Sequence, residues 1–371
     1  MSTKYRYKPD YAVHPGETLR EKLEELGMTP KELAVRAGKP VKTISEILNS
    51  KSSITPEMAV QFEKVLNIPA NFWIKKQANY NEFVAKERYK KSIEQAKDWA
   101  KQFPYAQMAK LGIVKVTRKI EEKVEELFDF FDIAKHTAWE NIYLHKQIPV
   151  FFRISLKHDK NPYALSVLLR LGEIGSKKIQ APKFNKTELK KLIPVLRQIM
   201  VDAPDNFAEK IQEQCLMAGV KVIYTPNFKQ TVTNGIVRWI DGNPIIQMTD
   251  RYKKYDIFWF SFFHETGHIL LHGNKKNVFI EESSATAQSK EEKEADNFAE
   301  NILLPEKEYL LIKNTLKNER DILPVSDFLA KKHNTHRDII LGRFLKEDKS
   351  QKYKYLYGAI RKVDFEEILN R

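Results

Sequence analysis

The sequence predicts a mainly α-helical chain with a small α+β part. Short, capped amphipathic segments fill the first 80 residues, helical periodicity continues through the middle, and a pair of strands precedes a long apolar helix. We therefore expect an N-terminal five-helix domain over residues 1–80 and a helical connector over 81–215. A domain with a small antiparallel sheet follows over 216–345, and a helical tail occupies 346–371.

Composition and charge restrict the class of protein. Apolar residues make up 42% and charged residues 30% of the 371, as in soluble globular proteins. No apolar run approaches the ~20 residues of a membrane-spanning helix, and the N-terminus lacks the apolar core of a secretory signal. One cysteine, Cys215, fits a reducing cytoplasm and is expected to be a small buried hydrophobe. The formal charge of +14 favours a polyanionic partner such as nucleic acid.

Start and stop signals for five helices are present in the first 80 residues. Thr29 and Thr55 are N-cap residues, each followed by a proline at the first helical position. The third segment, Val41–Leu48, follows the second after a tight turn at Gly38. This order of short helices is typical of a helix-turn-helix module.

Polar side chains on and around the third helix are the candidate DNA contacts. Hydroxyl and amide groups can read base edges, and basic groups can neutralise phosphates. The candidates are Arg36, Lys39, Lys42, Thr43, Ser45, Asn49 and Lys51. The alternative is a helical packing module that mediates protein contacts and whose polar residues are merely solvated.

Four stretches of this module resemble HigA-type antitoxins of the Xre repressor class, over nearly all of residues 11–80. The stretches are His14-Pro-Gly-Glu-Thr-Leu19, Thr29-Pro-Lys-Glu-Leu-Ala34, Thr43-Ile-Ser-Glu-Ile-Leu-Asn49 and Ile68-Pro-Ala-Asn-Phe-Trp73. The resemblance implies a homodimer that binds operator DNA with the third helix in the major groove.

The middle of the chain is helical and has no catalytic constellation of its own. Tyr163–Leu171 is expected to be a helix that ends at Gly172, with Arg170 and Glu173 paired across one turn. The preceding basic stretch is either a solvated helix face or an additional phosphate-contacting surface. Its cations are Lys75, Lys76, Lys86, Arg88, Lys90, Lys91 and Lys97.

A hairpin and a helix with metal-ligand spacing follow. Gly235–Ile240 and Pro244–Thr249 flank the turn signal Asp241-Gly242-Asn243. The next helix, from about Tyr255 to Leu271, is apolar on most faces and should be buried. The strand pair could align an extended peptide beside this helix.

The apolar helix contains a His-Glu-x-x-His pattern. His264 and His268 share one face and can hold one metal ion, while Glu265 can act as a general base. Successive i+4 steps from His264 to His272 drift around a helix, so His272 is expected to be structural or to contact a metal-ligating residue. A carboxylate from the downstream helix, Glu294, would complete a His₂Glu zinc site.

The stretches His264-Glu-Thr-Gly-His-Ile-Leu-Leu-His272 and Glu294-Ala-Asp-Asn-Phe-Ala-Glu-Asn-Ile-Leu-Leu-Pro305 are similar to the ImmA/IrrE metallopeptidase family. The resemblance covers roughly residues 215–345 and implies a zincin-like fold. It implies Zn²⁺ held by His264, His268 and Glu294, with Glu265 as the base. It also implies a proteinase that cleaves Xre-type repressors. Asp296 and Asn297 are candidates for supporting the ligands. The oxyanion stabiliser stays open as an arginine, tyrosine or histidine of the fold, and Arg238, Tyr224 and Arg251 are only nearby in sequence.

Two functions follow from these patterns. The first is a DNA-binding transcriptional regulator, antitoxin-like, whose zinc endopeptidase domain cleaves a repressor, antitoxin or toxin partner or the chain itself. The second is a non-catalytic antitoxin or autorepressor in which the metal site is structural or sensory. An intact Glu265 favours the first, because a structural site needs no base.

Overall fold

The computed structural model describes residues 11–146, 161–229, 231, 233–273, 279–280, 290–317 and 321–363. The chain divides into two compact units. The first comprises Met1–Asp98 with Lys119–Glu125, and the second comprises Trp99–Arg118 with Glu126–Arg371. Helices dominate both units, as predicted.

Five helices form the body of the first unit, which confirms the predicted helix-turn-helix arrangement. They are α1 (Pro15–Glu25), α2 (Pro30–Arg36), α3 (Val41–Leu48), α4 (Pro56–Leu66) and α5 (Ala70–Gln95). The hydroxyls of Thr29 and Thr55 each accept a backbone N–H at 3.2 Å, which caps α2 and α4. Gly38 adopts φ +62° in the turn before α3. Helix α5 is 26 residues long and therefore extends well into the predicted connector.

Helices also precede the sheet in the second unit. They are α6 (Lys97–Ala100), α7 (Tyr105–Lys110), α8 (Ile120–Phe131), α9 (His136–Trp139), a π-helical segment (Glu140–Lys146), α10 (Pro162–Lys177), α11 (Lys186–Asp202) and α12 (Phe207–Met217). Both α6 and α8 cross the boundary with the first unit. The predicted pair of Arg170 and Glu173 is formed, with a 2.9 Å contact. Cys215 is fully buried on α12, as expected, and burial raises the pKa of its thiol.

Helix α10 does not end at Gly172, which corrects the sequence-based prediction. The helix continues to Lys177, and Gly172 lies inside it against the sheet. A Cβ at this position would lie 2.0 Å from the side-chain oxygen of Gln247. Glycine is therefore required here for close packing rather than for helix termination.

The sheet has four strands in the order β1-β3-β2-β4. They are β1 (Lys221–Thr225), β2 (Gly235–Ile240), β3 (Asn243–Thr249) and β4 (Phe279–Ile280). The predicted β2–β3 hairpin is present, and Asp241 and Gly242 take positive φ values of 51° and 85° in its turn.

The sheet is mixed rather than antiparallel, contrary to the prediction. Strand β1 pairs in parallel with β3 from Lys221↔Ile245 to Thr225↔Thr249. Strand β1 lies on the side of β3 opposite β2, so the chain crosses over β3 between β1 and β2. It then runs back along β2 and forward again along β3, and β1 and β3 therefore point in the same direction. A hairpin signal reports only the pairing of its own two strands.

The long helix α13 (Tyr255–His272) is surrounded by the core of the second unit. Its aromatic residues Tyr255, Trp259, Phe262 and Phe263 are fully buried, as its apolar faces predict. The helix is followed by α14 (Lys290–Leu303), α15 (Glu306–Lys317), α16 (Ile322–Lys332) and α17 (Arg337–Glu347). Among the residues that the structure describes, no helix has the length and apolar character needed to cross a membrane.

The predicted C-terminal tail is only partly within the described residues. It contains a 3₁₀ helix, Lys354–Ala359, which follows α17. The Lys254 ammonium donates to the backbone oxygen of Tyr357 at 2.6 Å, and so the tail is fastened to the start of α13. Residues 364–371 lie outside the described part of the chain.

Candidate functional site

Helix α13 places three polar side chains of the His-Glu-x-x-His pattern in the interior. His264 is 1% exposed, and Glu265 and His268 are fully buried. Buried polar groups are costly unless they have partners or a function, so this cluster inside an apolar helix marks a candidate site. The two Nε2 atoms of His264 and His268 lie 3.0 Å apart, as expected for residues one helical turn apart.

Helix α14 packs on α13 and contributes the third group, Glu292. Its carboxylate oxygens lie 3.2 Å from Nε2 of His264 and 3.3 Å from Nε2 of His268. A tetrahedral zinc ion with bonds of ~2.0–2.1 Å separates its ligand atoms by about 3.4 Å. The three side chains therefore have the separations and the donor types of a His₂Glu zinc site.

Glu292 occupies the position that the sequence analysis assigned to Glu294. The buried face of α14 is formed by Ala295, Ala299 and Leu303. At about 100° per residue, Glu292 lies about 20° from the mean direction of that face, whereas Glu294 lies about 140° from it. The Glu294 carboxylate instead accepts from Nε2 of His272 at 2.9 Å. The sequence contained a signal for Glu292, because it lies three residues before the buried Ala295 and residues at this spacing share a helix face.

The outer ring nitrogens of the histidines have hydrogen-bond partners. Nδ1 of His264 lies 2.8 Å from a carboxylate oxygen of Asp296. Nδ1 of His268 lies 3.2 Å from Nδ1 of His272, and Nε2 of His272 in turn contacts the Glu294 carboxylate. Donation from each Nδ1–H leaves Nε2 as the lone-pair atom that faces Glu292. Asp296 thus has the supporting position expected for it, whereas Asn297 is exposed on α14.

Electrostatics favour the deprotonated forms of His268 and Glu292. Burial lowers the pKa of His268, although the nearby Glu292 opposes this effect. Burial on its own would raise the pKa of Glu292, but the close approach of the His264 and His268 rings outweighs it and lowers the pKa to about 2. Neutral imidazole and ionised carboxylate are the forms that bind a metal ion.

Gly235 and Gly267 allow the backbone to approach this cluster closely. A Cβ on Gly235, at the start of β2, would lie 2.6 Å from a carboxylate oxygen of Glu265. A Cβ on Gly267 would lie 3.0 Å from Phe298 and 3.3 Å from the Cα of Ala295. The predicted close packing at Gly267 is confirmed, whereas the contact between Gly235 and Glu265 had no signal in the sequence.

The three residues near the cluster in sequence, Tyr224, Arg238 and Arg251, have contacts with other parts of the second unit. The Tyr224 hydroxyl donates to the backbone of Ala208 at 2.9 Å, and Arg238 donates to the backbone of Leu169 at 2.6 Å. The Arg251 guanidinium packs over the ring of Tyr252 at 4.6 Å.

The candidate DNA contacts surround α3 in the first unit. Arg36, Lys42, Ser45, Asn49 and Lys51 are exposed, whereas Lys39 and Thr43 are partly buried. Three of the cations have carboxylate partners: Arg36 with Glu32 at 2.6 Å, Lys39 with Glu57 at 2.8 Å, and Lys42 with Glu46 at 4.0 Å. Only the Lys39 pair joins different elements, and it connects the turn before α3 to the start of α4.

Comparisons with known proteins match the two ends of the chain separately. Residues 19–73 match the helix-turn-helix family, and residues 215–343 match the IrrE N-terminal-like domain, a metallopeptidase-like family. Virulence-associated protein A of Dichelobacter nodosus is 42% identical over 69 residues, which cover 18% of this chain and 68% of that protein. The uncharacterized HTH-type transcriptional regulator YddM of Escherichia coli (strain K12) is 32% identical over 60 residues, 16% of this chain and 64% of that protein.

Solved structures similar to this chain include two HigA proteins. An addiction module antidote protein of a HigA family from Coxiella burnetii is 33% identical, covering 22% of this chain and 91% of that chain, with a TM-score of 0.21. The Pseudomonas aeruginosa antitoxin HigA, solved with the higBA promoter, is 30% identical over 23% of this chain and 94% of that chain, with a TM-score of 0.22. On the family matches, this chain belongs to the helix-turn-helix family through its N-terminal module and carries an IrrE N-terminal-like domain near its C-terminus.

Proposed function

We propose that this chain is a DNA-binding transcriptional regulator of the antitoxin type whose IrrE N-terminal-like domain is a zinc-dependent endopeptidase. The observation that carries the enzymatic part is the buried Glu265 next to a His264, His268 and Glu292 cluster with zinc-like separations. The substrate is a repressor, antitoxin or toxin protein, or the chain itself.

The DNA-binding part is supported by the helix-turn-helix match and by the exposed polar surface of α3. Lys42, Ser45 and Asn49 project from this helix into solvent. The formal charge of +14 favours association with a polyanion. We infer that α3 enters the major groove of an operator and that the chain binds as a homodimer, since a symmetric dimer matches a palindromic site.

The residues of the second unit divide the catalytic work. His264, His268 and Glu292 would hold zinc, with Asp296 orienting the imidazole of His264 through Nδ1. When bound there, zinc would supply Lewis acidity for the scissile carbonyl and for the attacking water. Glu265 takes a proton from that water and returns it to the departing amine. Strand β2 begins at Gly235, next to Glu265. Because glycine has no Cβ, this position leaves room for the Glu265 carboxylate.

The test compares the full chain with Glu265→Gln after loading both with zinc. Each protein is incubated alone and with a purified Xre-type repressor, and the products are followed by mass spectrometry. The parent should produce defined fragments, whereas Glu265→Gln should retain zinc and cleave at least about 100-fold more slowly, as expected for a lost general base.

Two outcomes would contradict the enzymatic proposal. Equal cleavage by Glu265→Gln would remove Glu265 from the mechanism. Intact DNA binding and zinc binding without cleavage of either protein would support the non-catalytic antitoxin instead. DNA binding itself is measured with duplexes from upstream of the gene across a salt titration, and an affinity that does not change with salt would count against phosphate contacts.

A further inference from the structure

The helix-turn-helix unit contains a polar cleft beside the end of α3, which brings together Lys51 and Arg88 from two separate basic stretches of the sequence. The cleft has a volume of about 350 Å³. His14 lies on one side, the loop of residues 50–53 on another, and Tyr80, Asn81 and Arg88 of α5 on a third. It therefore lies where the chain leaves α3 and meets the long helix.

A buried side chain holds two walls of this cleft together. Gln77 on α5 is 6% exposed, and its oxygen accepts the backbone N–H of Ile54 at 2.9 Å. Its amide N–H₂ donates to Asn81 at 3.0 Å. Ser50 takes φ +57°, which turns the chain away from α3 and toward α5. The loop and the helix are thus fixed relative to each other, so the cleft is formed before any ligand arrives.

Cations and hydrogen-bonding side chains line the cleft, together with Val84 and Ala85 of α5. Lys51 and Arg88 line it, and no carboxylate is among the described residues that do so. Neither cation forms an ion pair with another described residue, in contrast to Lys86 with Glu82 and Lys90 with Glu87 on the same helix. An uncompensated pair of cations favours an anionic ligand.

His14 adds a donor whose tautomer is set by the backbone. The side chain is 4% exposed, and Nδ1 accepts the N–H of Gly16 at 2.9 Å, so the ring proton is on Nε2. Burial lowers the pKa of His14, which keeps the ring neutral. Its ring meets that of Tyr80 edge to face at 4.7 Å, and Nε2 has no hydrogen-bond partner within the described ranges. Because His14 lines the cleft, this donor is available to a ligand there.

We propose that this cleft binds phosphate groups of the DNA backbone next to the base pairs that α3 contacts. The proposal rests on the proposed DNA-binding function and extends the contact surface onto α5. Residues 80–88 span about 12 Å of helix, which is longer than one phosphate ion and suits a stretch of backbone. Cations, hydroxyls and amides are the groups that contact DNA phosphates, and such contacts set register without reading sequence.

The test measures the salt dependence of DNA binding for the full chain and Arg88→Gln. The probe is a mixed-sequence 30-bp duplex followed by fluorescence anisotropy, because phosphate contacts do not depend on sequence. One lost phosphate contact should reduce the slope of log K against log salt by about 0.9. The affinity of Arg88→Gln should then be about eightfold lower at 0.1 M salt and nearly equal to the parent at 1 M.

Lys86→Gln is the matched control, since Lys86 is on the same helix, is paired with Glu82 and does not line the cleft. It should retain the parent slope, whereas Lys51→Gln should behave like Arg88→Gln. A slope unchanged in both cleft variants would overturn the proposal while leaving the DNA-binding function in place. A parent chain that does not bind any duplex would overturn the DNA-binding function itself.

Inorganic phosphate distinguishes a free anion from the DNA backbone. Thermal melting of the parent, Arg88→Gln and Lys86→Gln is measured with phosphate or chloride at constant ionic strength. Phosphate should bind the cleft only weakly and raise the melting temperature of the parent slightly. Arg88→Gln should lose this rise, and the same variant should show the reduced slope of log K against log salt for DNA binding. A phosphate-specific shift lost in Arg88→Gln with an unchanged DNA slope would assign the cleft to a free anion and overturn the backbone proposal.

Discussion

Glu292 and Glu294 are two positions apart on one helix, and this small difference decides which carboxylate faces the histidines. Glu292 lies on the buried face of α14 and meets both Nε2 atoms, whereas Glu294 meets His272 at the rim. The same chain of contacts gives Glu294 a supporting role, because His272 lies between it and His268. Replacement of Glu292 and replacement of Glu294 should therefore have different effects on zinc binding.

Glu292→Ala should remove zinc from the chain, whereas Glu294→Ala should retain most of it. Loss of a group that supports a ligand typically costs 10–100-fold in metal affinity, and loss of a ligand should cost at least about 100-fold. Zinc content after dialysis, measured by elemental analysis, checks this order. The reverse order would restore Glu294 as the third ligand.

Asp256 in the first turn of α13 should make stability depend on pH. Burial raises its pKa to about 6, with hydrogen bonds from the backbone opposing the shift and Asp338 adding to it. The folded state therefore holds this proton more tightly than the unfolded state does. The resulting contribution to stability is present below about pH 4 and is lost as the pH rises to about 6.

Asp256→Asn removes that titration while keeping the shape of the side chain. Its free energy of unfolding relative to the parent should rise with pH, by at most about 3 kcal/mol between pH 4 and pH 7. Denaturant unfolding at several pH values measures the difference. A difference that is constant across this range would contradict the proposed burial of the charged carboxylate.

At the scale of elements, the sheet depends on how closely α10 can approach it. Gln247 on β3 is fully buried, and its amide donates to Leu168 at 2.7 Å and to Thr225 at 3.1 Å. Gly172 provides the space for this side chain. Because Gln247 is held from both sides, it cannot move away from an added methyl group without losing a buried hydrogen bond.

Gly172→Ala should destabilise the second unit by about 2 kcal/mol, since overpacking outweighs the gain in helix propensity of about 1 kcal/mol. Gly358→Ala is the control, because a Cβ there meets no atom within 4 Å. The control should change stability by less than about 0.5 kcal/mol. Thermal or denaturant unfolding compares them, and equal effects would show that the contact with Gln247 is not limiting.

At the scale of the whole molecule, the chain divides into two compact units with different chemistry. The first contains the helix-turn-helix helices, and the second contains α13 and α14, which carry His264, His268 and Glu292. A ligand stabilises the structure that binds it, so zinc should act mainly on the second unit.

Chelation of zinc should increase hydrogen–deuterium exchange in α13 and α14 while leaving α1–α4 unchanged. The loss of the ion leaves His264, His268 and Glu292 without their common partner, and local opening then becomes easier. Exchange followed by mass spectrometry with and without a chelator measures this. Equal deprotection of α1–α4 would show that the two units unfold together.

Local signals determined much of this protein from its sequence alone. Proline and threonine caps start α2 and α4, the Asp241-Gly242 turn forms the hairpin, and the i, i+4 spacing brings His264 to His268. Each of these effects acts within a few residues, so neighbouring positions are sufficient to predict it.

Tertiary structure decided which carboxylate joins the histidines, the parallel pairing of β1 and the course of α10 through Gly172. The physical reason is the same in each case. The rotation of α14 about its axis, the side of β3 that β1 occupies and the space above Gln247 are set by packing between distant segments. Periodicity within one segment describes its faces but does not determine what those faces meet.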